Sequence, residues 1–197
     1  MKKALVLLSG GPDSAALVHW ANEKGYDVST LNFNLGDSKS KARVHAAESI
    51  SKRITDSAYY VDLKTTKNIS PSVLVTLAAD YALKINADKL FYGIHKNDTV
   101  NKEGISYFNN TLSETISLKA GKNFHVEAPF LYYSQSEVLN LGEYLDTDFS
   151  ETWSCKNRTD SHCGYCDSCV ERIKHFSEAG VTDDTNYHLE KTLFFYR

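Results

Sequence analysis

The chain has 197 residues, of which 42% are hydrophobic, and a formal net charge of −3 at pH 7. This length and apolar content suit one compact domain, residues 1–197, with its own core. The weakly acidic charge excludes a basic footprint for tight nucleic-acid binding, and no apolar segment is long enough for a secretion signal or a membrane span, so we expect a cytoplasmic protein without nucleic-acid or membrane partners.

The first predicted strand, Ala4–Leu8, leads through a short turn into a predicted helix, Asp13–Lys24. The turn reads Ser9-Gly10-Gly11-Pro12-Asp13-Ser14. A glycine-rich turn at a helix N-terminus points backbone N–H groups outward, and the helix dipole favours an anion there. The two serines add hydroxyl donors, while Asp13 can hold a magnesium ion (Mg²⁺) or cap the helix. The turn therefore predicts a phosphate site, the alternative being an ordinary strand-to-helix turn.

Two common nucleotide motifs are absent from this turn. No lysine follows the glycines, which excludes the G-x-x-x-x-G-K-[ST] pattern, and the glycine spacing excludes G-x-G-x-x-G. The phosphate site is therefore of a different kind.

Strands and helices then alternate along the chain, which predicts a parallel five-stranded α/β sheet with helices on both faces. Ligands of such sheets bind beyond the carboxyl ends of the strands. The further predicted strands are Val28–Phe33, Ala58–Leu63, Lys89–Ile94 and Phe124–Val126, and the further predicted helices are Lys39–Arg53, Pro71–Ile85, Ser106–Lys119 and Gln135–Leu145.

The segment Gly93–Asp98 follows a predicted strand and should line the same crevice as the first turn. Asp98 can orient a substrate or bind magnesium there, and we treat it as a candidate catalytic residue; His95 is a weaker candidate. The alternative is a solvated loop whose acidic residues cap a helix.

All four cysteines lie in one short span, as Cys155, Cys163, Cys166 and Cys169. Four thiolates complete a tetrahedral Zn²⁺ site, and two-residue gaps let successive sulfurs face one ion. Two disulfides or a redox role are the alternatives, which a reducing compartment disfavours. We expect a structural zinc segment over residues 150–176, closed and not catalytic, in which a loop runs into a helix within Cys163–Phe176.

The turn Ser9–Ser14 resembles the S-G-G-x-D-S signature of the PP-loop ATP pyrophosphatases, whose fold is Rossmann-like and of the adenine nucleotide alpha hydrolase type. The resemblance implies that the loop grips the β- and γ-phosphates of ATP while a substrate oxygen attacks the α-phosphate, with Asp13 and Ser14 as catalytic residues. The implied ATP-contacting residues are Leu8, Ser9, Gly10, Gly11, Pro12, Asp13, Ser14, Ala15, Ala16, Leu17, Val18 and Gly93.

The run Thr152-Trp153-Ser154-Cys155, followed by His162 to Arg172, resembles the C-terminal zinc segment of the 7-cyano-7-deazaguanine synthase (QueC) family. The resemblance implies an ATP-dependent ligase that adenylates a carboxylate, 7-carboxy-7-deazaguanine, accepts ammonia to give an amide, and dehydrates the amide to the nitrile. It also implies that Arg172 faces ATP and that the chain can form a homodimer. The run Leu193–Tyr196 is too apolar for a free tail, so we expect it either in the core or at a subunit interface.

The sequence departs from this family at its substrate segments. Asn34–Lys39 stands where the family has Y-G-Q-x-H, Ser70–Val73 replaces P-G-R-N, and a third segment keeps Gly93, Asp98 and a histidine, His95. Two alternatives follow: a relative that joins a deazaguanine or another carboxylate to a different acceptor, such as a protein N-terminus, or a non-catalytic ATP-binding subunit of a defence complex. An RNA thiolase would need a basic face or a further cysteine pair, which the sequence lacks.

Overall fold

The computed structural model describes residues 1–37, 40–63 and 69–188. Five parallel strands form one sheet in the order β3-β2-β1-β4-β5. The strands are β1 (Lys3–Leu7), β2 (Asp27–Asn34), β3 (Ala58–Asp62), β4 (Lys89–Tyr92) and β5 (His125–Glu127). The helices are α1 (Pro12–Glu23), α2 (Ser40–Ile54), α3 (Pro71–Lys84), α4 (Lys102–Ala120), α5 (Gln135–Tyr144) and α6 (Asp167–Ala179), with a short 3-10 turn at Phe149–Glu151.

The predicted α/β architecture is confirmed, with small shifts at the element ends. The largest shift is at α4, which begins at Lys102 rather than at the predicted Ser106. It begins earlier because Asn101 caps it: the Asn101 side-chain oxygen accepts a hydrogen bond from the Gly104 N–H at 2.9 Å. The predicted start of α2 at Lys39 and the apolar run Leu193–Tyr196 lie outside the described residues.

Two hydrophobic cores, one on each face of the sheet, hold the layers together. Alternate residues of β1 point to opposite faces, so Ala4 and Val6 pack with α1, α2, α5 and α6, whereas Leu5 packs with α3 and α4. Phe91 of β4 and Phe124 before β5 are fully buried on these two faces. Each such large apolar side chain contributes about 1.5–3 kcal/mol to folding. None of the helices within the described ranges is both long and apolar enough to cross a bilayer.

The order in which the strands are added to the sheet switches sides at β1, and this switch determines where the site lies. The chain leaves β1 for β2 on one side and later returns to β4 on the other side. At such a switch point the connections diverge and leave a crevice beyond the carboxyl ends of the strands. The turn Ser9–Ser14 follows β1 directly, so it lies in this crevice.

Candidate active site and metal centre

The turn between β1 and α1 is tightly enclosed, which explains its first glycine. Gly10 has a φ of +87°, a conformation that other residues rarely adopt, and a Cβ there would lie 2.5 Å from the Arg43 carbonyl oxygen. α2 therefore packs directly against the turn. Pro12 is the first residue of α1, where its missing N–H is not needed.

Two serine hydroxyls tie the turn together. The Ser14 hydroxyl donates to the Gly11 carbonyl oxygen at 2.9 Å and lies 3.0 Å from the Ser9 hydroxyl. The Gly11 N–H donates to the Ser9 hydroxyl oxygen at 3.3 Å. The first N–H groups of an α-helix have no partner within the helix. The turn and the start of α1 therefore form a concave, donor-rich surface that suits a phosphate.

Asp13 is the acidic residue of this surface, and its surroundings shift the pKa of its carboxyl group. Burial raises the pKa of its carboxyl to about 6; the His95 ring opposes that rise and the Asp98 carboxylate adds to it. One carboxylate oxygen, Oδ1, is buried without a hydrogen-bond partner among the described residues. A buried, unpartnered carboxylate oxygen beside a phosphate-binding turn is a ligand position that a magnesium ion could fill.

His95 connects Asp13 with the segment after β4. Its ring is 4% exposed, with Nε2 at 3.8 Å from Asp13 Oδ2 and Nδ1 at 3.5 Å from Asp98 Oδ2. The Asn97 N–H donates to His95 Nδ1 at 3.3 Å, so in the neutral ring the proton lies on Nε2 and faces Asp13. Asp98 also accepts a hydrogen bond from the His95 N–H at 2.9 Å, which shapes the loop.

The structure brings the predicted residues Gly93 and Asp98 to the turn. A Cβ on Gly93 would lie 3.6 Å from the Ser14 backbone nitrogen, so the chain after β4 runs against the start of α1. Asp98 reaches Asp13 through the intervening His95 ring. The segments after β1 and β4 therefore form one site.

Five of the residues expected to contact ATP do not face the crevice. Their side chains are at most 1% exposed and pack in the core between the sheet and the helices, because the α1 face that follows the first turn is the one that covers the sheet. The side chains of Leu8, Ala15, Ala16, Leu17 and Val18 therefore belong to the core, and a contact of these residues with ATP would be made by the main chain.

Arg172, which was also expected to face ATP, has its guanidinium held by groups of the protein. It is 2% exposed, forms an ion pair with Asp183 and donates to the Thr152 and Ser154 hydroxyls and the Phe149 carbonyl oxygen. All five N–H donors of the side chain are used, so Arg172 fixes the segment before the cysteines, and it also lines the small cavity beside the turn. Its partner Asp183 was not expected from the sequence, because no motif marks it.

The four cysteines converge at the N-terminus of α6. Their sulfur atoms all lie within 4.8 Å of one another, all four side chains are buried, and none is in a disulfide. The sulfurs of Cys163 and Cys169 are 3.9 Å apart, close to the roughly 3.8 Å that separates two thiolates on one tetrahedral zinc ion. The donor set and its spacing fit a metal ion.

Backbone N–H groups favour the thiolate form at Cys155 and Cys166, whereas burial raises the pKa of Cys169. The N–H groups of Asn157, Arg158 and Cys163 donate to the Cys155 sulfur at 3.3–3.4 Å. Burial raises the pKa of Cys166, but hydrogen bonds from backbone N–H groups outweigh it and lower that pKa to about 7. Since thiolates are the metal-binding form, these backbone hydrogen bonds favour metal binding by the two sulfurs.

His162 is adjacent to Cys163, but its ring is hydrogen-bonded elsewhere and is not positioned as a metal ligand. Its Nε2 accepts a hydrogen bond from the Ser154 N–H at 3.0 Å, and its ring packs against Trp153. Burial, and then the Arg172 charge, lower its pKa to about 4, so the ring is neutral and serves as an acceptor. The candidate ligands of a metal ion are therefore the four sulfurs.

The segment that precedes the cysteine cluster contacts the turn between β1 and α1. The Trp153 N–H donates to the Gly10 carbonyl oxygen at 2.8 Å. Between the turn and α6 lies a small polar cavity of about 160 Å³ that Gly11, Asp13, Trp153 and Glu171 help to line. The cysteine segment thus forms one wall of the crevice.

Comparison with known proteins agrees with this architecture. The family described as "Queuosine biosynthesis protein QueC" matches residues 3–76 and 72–180. The 7-cyano-7-deazaguanine synthase of Caldicellulosiruptor saccharolyticus is 30% identical over 95% of this chain and 96% of its own length. That of Clostridium kluyveri is 31% identical over 97% of this chain and 100% of its own length.

Solved structures show the same fold at low sequence identity. The U34-tRNA thiolase NcsA from Methanococcus maripaludis, solved with its 4Fe-4S cluster, matches with a TM-score of 0.57 and 17% identity over 90% of this chain and 64% of its own. The NMN synthetase of Francisella tularensis matches with a TM-score of 0.50 and 17% identity over 92% of this chain and 73% of its own. With the phosphate turn, the cysteine centre and near-full-length relatives in agreement, this chain belongs to the QueC family.

Proposed function

We propose that the protein is an ATP-dependent synthase that converts 7-carboxy-7-deazaguanine and ammonia, through the amide, into 7-cyano-7-deazaguanine. The observation that carries this proposal is the turn Ser9–Ser14 at the switch point of the sheet, with Asp13 and its unpartnered Oδ1 facing the crevice. The family match supports the choice of substrate, because the relatives are named 7-cyano-7-deazaguanine synthase.

In the first step a carboxylate oxygen of the acid bonds to the α-phosphorus of ATP, and the bond to the bridging oxygen breaks to release pyrophosphate. The N–H groups in the first turn of α1 that have no partner within the helix hold the departing diphosphate, whose negative charge they stabilise. The Ser9 hydroxyl is positioned at the same surface. The main contribution of the protein is alignment of the acid with the α-phosphate in a site that already carries the complementary dipoles.

Asp13 is proposed to hold magnesium through Oδ1, with His95 and Asp98 behind it. Magnesium, when bound, neutralises charge on the phosphates. The His95 Nε2 lies 3.8 Å from the other Asp13 oxygen, so the ring borders the carboxylate without a direct hydrogen bond to it. Asp98 in turn fixes the loop that carries His95.

In the later steps ammonia attacks the acyl carbon, the bond to AMP breaks, and one proton leaves the nitrogen to give the amide. The amide oxygen then attacks the α-phosphorus of a second ATP, pyrophosphate leaves, and loss of AMP with the two amide protons forms the nitrile. Both ATP molecules react at the same α-phosphate position, so one phosphate turn serves both halves.

The cysteine cluster is proposed to hold one Zn²⁺ with a structural role. Cys155, Cys163, Cys166 and Cys169 would be the ligands, and four protein thiolates leave no open coordination position for catalysis. The ion would hold the segment that hydrogen-bonds to Gly10.

The test is a reaction of the purified protein with ATP, magnesium, ammonia and 7-carboxy-7-deazaguanine, followed by mass spectrometry. The proposal expects AMP, pyrophosphate, the amide and then the nitrile. Release of ADP and phosphate, or no acid-dependent turnover of ATP, would contradict it.

A second candidate is that the activated acid is joined to a different amine, such as a protein N-terminus. One observation favours it: the chain departs from the family's patterns at two substrate segments, Asn34–Lys39 and Ser70–Val73. The same reaction mixture separates the two candidates, because formation of the amide without the nitrile favours the second.

A further inference from the structure

A cavity lies on the α3 and α4 face of the sheet, beyond the carboxyl end of β4. We call it the α3–α4 pocket; Val75, Tyr92, Ile94, Ile105 and Phe108 form its apolar walls. Its volume is about 380 Å³, within the range of small-molecule sites. It is large enough for a bicyclic aromatic ring.

The pocket adjoins the phosphate turn across the extension of β4. Tyr92 and Ile94 face the pocket, whereas Gly93 between them contacts the start of α1, where a Cβ on it would lie 3.6 Å from the Ser14 nitrogen. His95, the next residue, is 3.8 Å from Asp13. The pocket and the turn are therefore separated only by the chain at the end of β4. A carboxylate on a ring bound in the pocket would lie close to the turn.

The polar side chains that line the pocket are already paired inside the protein. Their partners are protein atoms: Tyr92 Oη donates to Asn109 Oδ1 at 2.8 Å, Ser72 Oγ and Ser70 Oγ are 2.9 Å apart, Thr99 Oγ1 accepts from the Asn101 N–H at 3.1 Å, and Asn101 Oδ1 accepts from the Gly104 N–H at 2.9 Å. A ligand without hydrogen-bonding groups on its ring edge leaves none of these side chains without a partner.

We infer that the α3–α4 pocket holds the ring of the carboxylic acid and selects it by shape and apolar contact, without reading the guanine edge. The inference rests on the proposed function and deepens it, since it names flat bicyclic aromatic carboxylic acids as the substrate class. The physical reason is an asymmetry: a site built to hydrogen-bond a substrate rejects an analogue lacking the group by about 10⁴–10⁵-fold, whereas an apolar pocket discriminates weakly.

The test compares 7-carboxy-7-deazaguanine with indole-3-carboxylate, which has a similar shape and no guanine edge. The measurement is acid-dependent exchange of labelled pyrophosphate into ATP. The inference expects the two values of kcat/KM to lie within 100-fold of each other. A larger preference for the deazaguanine acid overturns the inference and leaves the proposed function standing, whereas no exchange with either acid overturns both.

Two matched tryptophan variants on α3 test the location. Ser72 is exposed at the mouth of the pocket, so Ser72→Trp fills the pocket without disturbing a buried position. Leu77 is 41% exposed on the same helix and is not among the pocket residues, so Leu77→Trp is the control. Ser72→Trp should reduce exchange with both acids at least tenfold while ATP affinity and Leu77→Trp activity stay unchanged; unchanged exchange in Ser72→Trp would overturn the assignment.

Discussion

The backbone N–H of Trp153 donates a hydrogen bond to the carbonyl oxygen of Gly10, with the two atoms 2.8 Å apart. Trp153 stands two residues before Cys155, and the hydroxyls of its neighbours Thr152 and Ser154 are held by Arg172. The cysteine cluster is therefore connected to the phosphate turn through one short segment of chain. Loss of order at the cluster should reach the site of ATP binding.

Metal removal tests this connection. We expect one zinc ion per chain and, after chelation with the thiols kept reduced, a weakening of ATP binding by at least tenfold, because Trp153 no longer fixes Gly10. Metal analysis and calorimetric ATP titration measure the two quantities, with reductant alone as the control. No metal in protein with intact thiols, or unchanged ATP affinity after metal loss, would contradict this account.

Replacement of Arg172 tests the buried ion pair. Arg172→Ala leaves Asp183 partly buried and uncompensated and should lower the free energy of unfolding by about 3–5 kcal/mol. Arg158→Ala is the matched control, because Arg158 pairs with the exposed Asp160 and its replacement should lower the free energy of unfolding far less. Urea unfolding measures both, and equal losses in the two variants would show that the Arg172 pair is not a structural centre.

Alanine substitutions at two glycines with positive φ distinguish the cost of backbone strain from the cost of a steric clash. Gly25 has a φ of +76°, and a Cβ on it would meet no atom within 4 Å, so Gly25→Ala should cost only about 1–2 kcal/mol. Gly10→Ala adds a contact at 2.5 Å with the Arg43 carbonyl oxygen, so it should cost more and also weaken ATP binding at least tenfold. The free energy of unfolding and the ATP dissociation constant are compared, and normal ATP binding by Gly10→Ala would be evidence against the turn as the ATP site.

Asp13→Asn should separate stability from activity. The Asp13 pKa is about 6 in the folded chain against an ordinary value of 3.8, so the folded state binds the proton more tightly and loses stability as the pH rises through this window. The asparagine variant escapes this loss. Its stability advantage should be about 1 kcal/mol larger at pH 7 than at pH 5, while its ATP turnover is abolished.

Urea unfolding at both pH values measures the advantage, with exposed Asp56→Asn as the control. An advantage that is independent of pH would contradict the raised pKa, and full ATP turnover in Asp13→Asn would contradict its role in the site.

Much of the fold follows from local sequence signals. The strand run before Ser9 and the helix start at Pro71 are set by apolar periodicity and by the backbone of proline, which act over a few residues. The start of α4 was missed because the signal was a single capping residue, Asn101, lying before the apolar pattern of the helix.

Some features of the candidate site could likewise be predicted from the sequence, and others could not. The phosphate turn and the cysteines carry short motifs, so their chemistry could be predicted. The pairing of Arg172 with Asp183 joins two segments through tertiary packing, and the bond from Trp153 to Gly10 joins main-chain atoms only, so neither leaves a residue pattern. The core positions of the Ala15 to Val18 side chains were not apparent from the motif, because a motif marks neighbours in sequence, whereas a helix turns successive side chains to different faces.

The most direct test is to follow oxygen-18 from the carboxyl group of the acid. If a carboxylate oxygen bonds to the α-phosphorus of ATP and ammonia then displaces AMP from the acyl carbon, one label ends in AMP and none in pyrophosphate. Label in inorganic phosphate, with ADP as the other product, would show attack at the γ-phosphate and would contradict the account.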